Sequence, residues 1–121
     1  MKISIIIPCY NEYSTIKKII DKINNQKTFD KEIIVIDDCS SDGTIEILSN
    51  LKDQINSLTL NKKNYGKGYC IKKGIEIASG DIILIQDADL EYDPNDYEKL
   101  LKPIINNSAD VVYGSRFIGS D

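Results

Sequence analysis

The sequence predicts an α/β fold: a mainly parallel sheet with helices on both faces. Strand-like runs recur at residues 3–7, 32–37, 57–60, 81–86 and 110–113, and helical patterns fill the gaps. Residues 33–36 and 82–85 are apolar on both faces of an extended chain, as central parallel strands must be.

The elements follow in order. Ile16, Ile19, Ile20 and Ile23 fall at i, i+3, i+4 and i+7 after the first strand, which gives one apolar helical stripe. Ile45, Leu48 and Leu51 form a second stripe, with Ser41 or Asp42 available as its cap. Ile71, Ile75 and Ala78 mark a third helix, and Gly80 stands where a C′ glycine would end it. Asp93 and Pro94 suit the N-cap and N1 positions of a fourth, with Leu100, Leu101, Ile104 and Ile105 as its buried face and Pro103 kinking or shortening it.

The 121 residues suffice for one domain. The composition, 41% hydrophobic and 28% charged, is globular, and the net charge of −4 disfavours a nucleic-acid partner. The nearest approach to a basic stripe, Lys62, Lys63, Lys67, Lys72 and Lys73, reads as solvated surface. Histidine is absent, and Cys9, Cys39 and Cys70 are widely spaced, which excludes zinc fingers and Ser-His or Cys-His triads within this chain. Reduced thiols and a cytoplasmic location are expected, because strand material begins at once without a signal-peptide core.

Polar residues gather at the carboxyl ends of the strands, where open α/β sheets bind ligands. The first strand runs into Pro8-Cys9-Tyr10-Asn11-Glu12, the second into Asp37-Asp38 and Ser40 to Thr44, the fourth into Asp87-Ala88-Asp89. A strand order of 3-2-1-4 would bring all three to one crevice. Asp87, Asp89 and Glu91 point the same way if the chain there is extended, and three like charges on one face call for a cation. A hard divalent ion with oxygen ligands suits them, and the alternative is a solvated acidic loop. Tyr10 is placed either to stack on a base or to pack, and Asp38 either to bind a base or ribose or to cap a helix. Gly66-Lys67-Gly68 before the third helix either attracts an anion or makes a tight turn. Arg116, at the end of the fifth strand, is placed either to clamp phosphate or to form a surface ion pair.

Together with Asn64-x-Gly66-Lys67-Gly68 and Gly114-Ser115-Arg116, these clusters resemble family 2 glycosyltransferases of the Rossmann-like GT-A fold, in family order from residue 5 to residue 117. The run from Gln86 to Pro94 is most similar to the dolichol-phosphate mannose synthase branch. The resemblance implies transfer of a hexose from GDP-mannose or UDP-glucose to a polyprenyl phosphate, with inversion. It implies Pro8, Tyr10, Glu12, Ile36 and Asp38 around the nucleoside, Ala88 and Asp89 beside the diphosphate and Arg116 on phosphate, with Lys67 also among the nucleotide-sugar-binding residues. Asp87, Asp89 and Glu91 would hold Mg2+ or Mn2+, with Asp89 and Arg116 as the catalytic pair. Cys39 departs from the pattern, because the family often has glycine there, which puts a left-handed backbone in question. The resemblance covers the donor-binding part only. The acceptor side, and a membrane anchor or peripheral membrane contact, are expected beyond residue 121. The rival readings are a binding-only nucleotide-sugar module and a phospho-receiver domain.

Overall fold

The computed structural model describes residues 2–89, 94, 111–113 and 117–118. The expected fourth helix lies outside them. β1 (Lys2–Cys9), α1 (Ile16–Asn25), β2 (Asp30–Asp37), α2 (Thr44–Asn50), β3 (Ser57–Leu60), α3 (Lys67–Ile77), β4 (Ile82–Ile85), β5 (Val111–Tyr113) and β6 (Phe117–Ile118) follow along the chain, with a 3-10 turn at Lys52–Gln54. They form one sheet in the order β3-β2-β1-β4-β5-β6. All neighbours are parallel except β5 and β6. β6, two residues long, carries no strand signal of its own in the sequence. In a receiver domain the order is 2-1-3-4-5, with β1 beside β3; here β1 sits between β2 and β4, so that rival fails on topology.

Isoleucine builds the interior. The largest fully buried side chains are all isoleucines, from β1, α1 and β2. Alternation along β1 sends Ile3, Ile5, Ile7 and Cys9 to one face, where the α1 stripe and Leu48 of α2 cover them. Ile6 goes to the other face with Ile34, Ile36 and Ile85, under Cys70 of α3. The α3 face differs from the expected one. Ile75 is exposed, and the residues buried in the helix are Cys70 and Gly74. α3 lies so close to the sheet that a β-carbon on Gly74 would stand 2.5 Å from Ile6 Cγ2. Gly80 is not a left-handed C′ cap: a β-carbon there would meet Ser4 Oγ at 2.6 Å and Lys2 O at 2.8 Å, so close approach to β1 requires the glycine.

The amino-terminal edge is tied by Glu32. Its Oε2 accepts from Ser4 Oγ at 2.5 Å, Ser79 N at 2.6 Å and Ser79 Oγ at 2.9 Å, and Lys2 Nζ stands 3.6 Å from Oε1. Burial pushes this carboxyl up, but the serine hydrogen bonds and Lys2 outweigh it and hold it below its ordinary value.

Candidate functional site

β1 and β4 part company at the carboxyl edge. Their pairing stops at Ile6↔Ile85, whereas β1 continues along β2 to Cys9↔Asp37. Ile6 O accepts from Gln86 N on the β4 side, and Cys9 O accepts from Asp38 N on the β2 side. Pro8 has the parity of Ile6, so its missing N–H faces the gap beyond β4, where no partner is lost.

The gap holds a cavity of about 210 Å3. Pro8, Tyr10 and Glu12 line it from the first loop, and Asp38 from the second. Asp87, Ala88 and Asp89 line it from the third, and Lys67 from the start of α3. The three sequence clusters therefore share one crevice. Ile36 does not line it: the side chain is fully buried in the apolar cluster under α3. Glu91 and Arg116 lie outside the described residues.

The first two loops are laced together. Asn11, held at φ 52°, donates its N–H to Ser40 Oγ at 2.9 Å, and its Oδ1 accepts from Ser41 N at 2.7 Å. Ser40 in turn donates N–H and Oγ–H to the buried Asp37. Cys39 between them has φ 66°, the left-handed conformation that the sequence put in question. Neither Ser41 nor Asp42 is the N-cap of α2, which is Gly43; Asp42 reaches from one residue before it and accepts from Thr44 N at 3.0 Å. Tyr10 stays about half exposed at the mouth, free to offer a ring face.

Asp38 is only 3% exposed and is saturated by the protein. Oδ1 accepts from Asn61 Nδ2 at 3.0 Å and Tyr65 N at 2.9 Å, and Oδ2 from Gly66 N at 2.8 Å. Burial raises this carboxyl, but the bonds from Tyr65, Asn61 and Gly66 outweigh it and keep it below its ordinary value. Asp38 thus fixes the loop that leads to Lys67. Gly66, at φ 100°, makes the tight turn that requires glycine. Tyr65 stacks on Tyr69 with ring centroids 4.4 Å apart, and Lys63 Nζ lies 5.1 Å from the Tyr65 ring.

On the β4 side the chain turns at Ala88 and Asp89, so strict alternation ends at Asp87. Asp87 and Asp89 reach the same cavity nonetheless, because the turn folds them around Ala88. Thr15, instead of capping α1 with its side chain, donates Oγ1–H to Ala88 O at 2.5 Å and pins that turn. Lys67 Nζ makes an ion pair with Asp87 Oδ1 at 2.5 Å. Glu12 sits above its ordinary value, first through burial and then through Asp89, Asp42 and Asp87.

This surplus of carboxylate suits a hard divalent cation. Asp87 and Asp89 supply oxygen donors on one rim, while no group of three or more potential metal ligands converges among the described residues. The Cys9 and Cys70 thiols are poor ligands and poor nucleophiles. Burial and then Asp37 hold Cys9 far above the usual thiol range, and burial and then Asp38 push Cys70 up to about 11. Neither thiol gave a sequence signal. Their place on the wall comes from the end of β1 and the first turn of α3.

Comparison with known proteins bears on what binds there. The sequence model of Glycosyl transferase family 2 matches residues 4–121. The dolichol-phosphate mannosyltransferase of Pyrococcus furiosus is 35% identical over 120 residues, 98% of this chain and 34% of its own. Among solved structures, S. aureus TarS 1-349 in complex with UDP-GlcNAc superposes with a TM-score of 0.75 at 25% identity, covering 91% of this chain and 33% of TarS. The mannosyltransferase PcManGT from Pyrobaculum calidifontis, in complex with GDP-Man and Mn2+, gives 0.66 at 28% identity over 72% of this chain and 27% of its own. The chain spans about a third of the length of the curated relatives it matches.

Proposed function

Because the chain belongs to glycosyl transferase family 2 and has its Rossmann-like GT-A fold, we propose that it is the donor-binding part of a metal-dependent, inverting hexosyltransferase. It would take mannose or glucose from a nucleoside diphosphate sugar to a polyprenyl phosphate. One observation carries the reading: the loops after β1, β2 and β4 converge on a single cavity where the strand order reverses. The names of the similar proteins support the donor and acceptor classes. A lipid acceptor would put the reaction at a membrane surface, and the cytoplasmic face is the side proposed here. No helix among the described residues is long and apolar enough to cross one.

In this reading Tyr10 stacks on the base, and Pro8 and Glu12 wall the nucleoside. Asp38 orients the 61–66 loop against it. Ala88 lets the diphosphate approach the turn that Thr15 pins. An acceptor phosphate oxygen attacks the anomeric carbon as the bond to the donor's diphosphate breaks. The phosphate is already ionised near neutral pH, so the absence of histidine is no obstacle. Mg2+ or Mn2+ held by Asp87 and Asp89, with Glu91 as a further ligand, would neutralise charge on the departing diphosphate. Arg116 would contact the same group.

The test is a thermal-shift series with UDP and GDP, with and without Mn2+, on the chain and on Asp89→Asn. Ligand at about 100 times Kd adds about 2.7 kcal/mol of apparent stability. A Mn2+-dependent shift with one nucleotide, lost in Asp89→Asn, is expected. No shift with either nucleotide would sink the reading. Incubation with labelled donor sugar and polyprenyl phosphate then separates a transferase from a binding-only module.

A further inference from the structure

Lys67 and Asp87 make a close ion pair on the cavity wall. The ammonium is 2.5 Å from Oδ1, with the lysine side chain 54% exposed and the aspartate 17%. The lysine is carried by the first residue of α3, whose approach is set by the bond from Gly66 N to Asp38. The ammonium thus stands where a cation bound to Asp87 would stand. From this geometry we infer that Lys67 is a place-holder. It neutralises Asp87 while the site is empty, is displaced when a divalent cation binds that carboxylate, and then turns to the donor's diphosphate. The inference rests on the cation and nucleotide reading above and adds an order to it.

The physical case has three parts. Asp87 lines the same cavity as Asp89 and Glu12, and a carboxylate among like charges is costly to leave unpaired. Lysine suits an exchangeable role, because its ammonium is a single point charge on a flexible stem, without the two-pronged grip of arginine. Its half exposure keeps the pair weak enough to break. The cost of breaking it lowers apparent cation affinity in the absence of nucleotide, and new contacts to phosphate return it when nucleotide is present. Cation and nucleotide would therefore bind cooperatively through Lys67.

The variants Lys67→Met, which keeps the apolar stem, and Lys63→Met, which removes a nearby charge not paired to Asp87, test this. Mn2+ binding is read by electron paramagnetic resonance on the nucleotide-free chain, then UDP and GDP binding by calorimetry at saturating Mn2+. Circular dichroism verifies the fold. Lys67→Met should tighten Mn2+ by roughly twofold to fivefold, the range of an exposed ion pair. It should weaken nucleotide by a similar or larger factor, and Lys63→Met should do neither. Unchanged or weaker Mn2+ binding by Lys67→Met overturns the handover alone. Equal tightening by both variants also overturns it, by showing a diffuse charge effect. A parent chain that binds no Mn2+ removes the cation site itself, and the handover with it.

Discussion

Gly74 of α3 rests directly on Ile6 of β1, with room for no atom between them: an added β-carbon would stand 2.5 Å from Ile6 Cγ2 and 3.1 Å from its Cδ1 and Cγ1. Ile6 is fully buried and branched, so it has nowhere to retreat. Alanine gains about 1 kcal/mol of helix propensity, but overpacking typically costs about 1–3 kcal/mol. Gly74→Ala is expected to lower stability by about 1 kcal/mol or more, read as a fall in the urea midpoint. A more stable variant would mean that α3 rides higher on the sheet than described.

Cys39 carries a left-handed backbone with little side-chain return, a long contact of 3.6 Å from Sγ to Lys62 O. An L-residue in that conformation costs about 1–2 kcal/mol, part of which glycine gives back through its freer unfolded state. Cys39→Gly should stabilise by about 0.5–1 kcal/mol. Asn11→Gly should not, because Asn11 uses its side chain on Ser41. Chemical denaturation of the two variants separates these outcomes, and equal behaviour would count against the argument.

Glu32 and Glu12 give opposite pH signatures. Glu32 is held below its ordinary value, so its contribution is present above the unfolded value of about 4.3 and is lost as pH falls through the folded one. Glu32→Gln should be less stable at pH 7 and flatter on the acid side. Glu12 is held above its ordinary value, so ionising it weighs on the fold above the folded value and not at low pH. Glu12→Gln should be more stable than the parent at pH 7 and equal to it at pH 3. Melting curves across pH 3–7 check both signs.

Asp38 should matter more to the loop than to the base. Asp38→Asn removes an acceptor from Tyr65 N or Gly66 N and sets an amide donor against it, at about 1–3 kcal/mol for an unsatisfied buried group. Hydrogen exchange at the Tyr65 and Gly66 amides should accelerate even without nucleotide. Unchanged protection there would return Asp38 to a direct role in binding.

Much of this was legible in the sequence because it rests on period and position. The isoleucine stripe of α1 and the two-sided runs of β2 and β4 marked the fold class, and the polar clusters at strand ends pointed to a shared crevice on the condition of a 3-2-1-4 order, which the sheet has. What stayed hidden depends on contacts between distant residues. The fully buried positions of α3 are a cysteine and a glycine, which hydropathy does not mark; of the expected stripe, Ile71 and Ala78 pack against the core at its margin, and Ile75 is exposed. Gly80 looked like a helix cap but is required by Ser4, far away in sequence. The saturation of Asp38 by the 61–66 loop and the pairing of Lys67 with Asp87 had no sequence signal at all. Ile36 sits two residues before Asp38 of the wall, near enough for a resemblance to include it and still fully buried.

The hydroxyl of Thr15 that holds Ala88 joins residues 73 apart in the chain, and the bonds from Asn11 to Ser40 and from Tyr65 to Asp38 span 29 and 27. The Asn11 bond needs β1 beside β2 and the Thr15 bond needs β4 in place as well, so the complete set waits for both parallel pairings of β1, and such non-local pairing is slow compared with helix formation. The crevice can therefore have no early existence of its own during refolding. Ligand capture should reappear in the same kinetic phase as burial of the sheet, which makes a bound nucleotide a clock for the last step of folding.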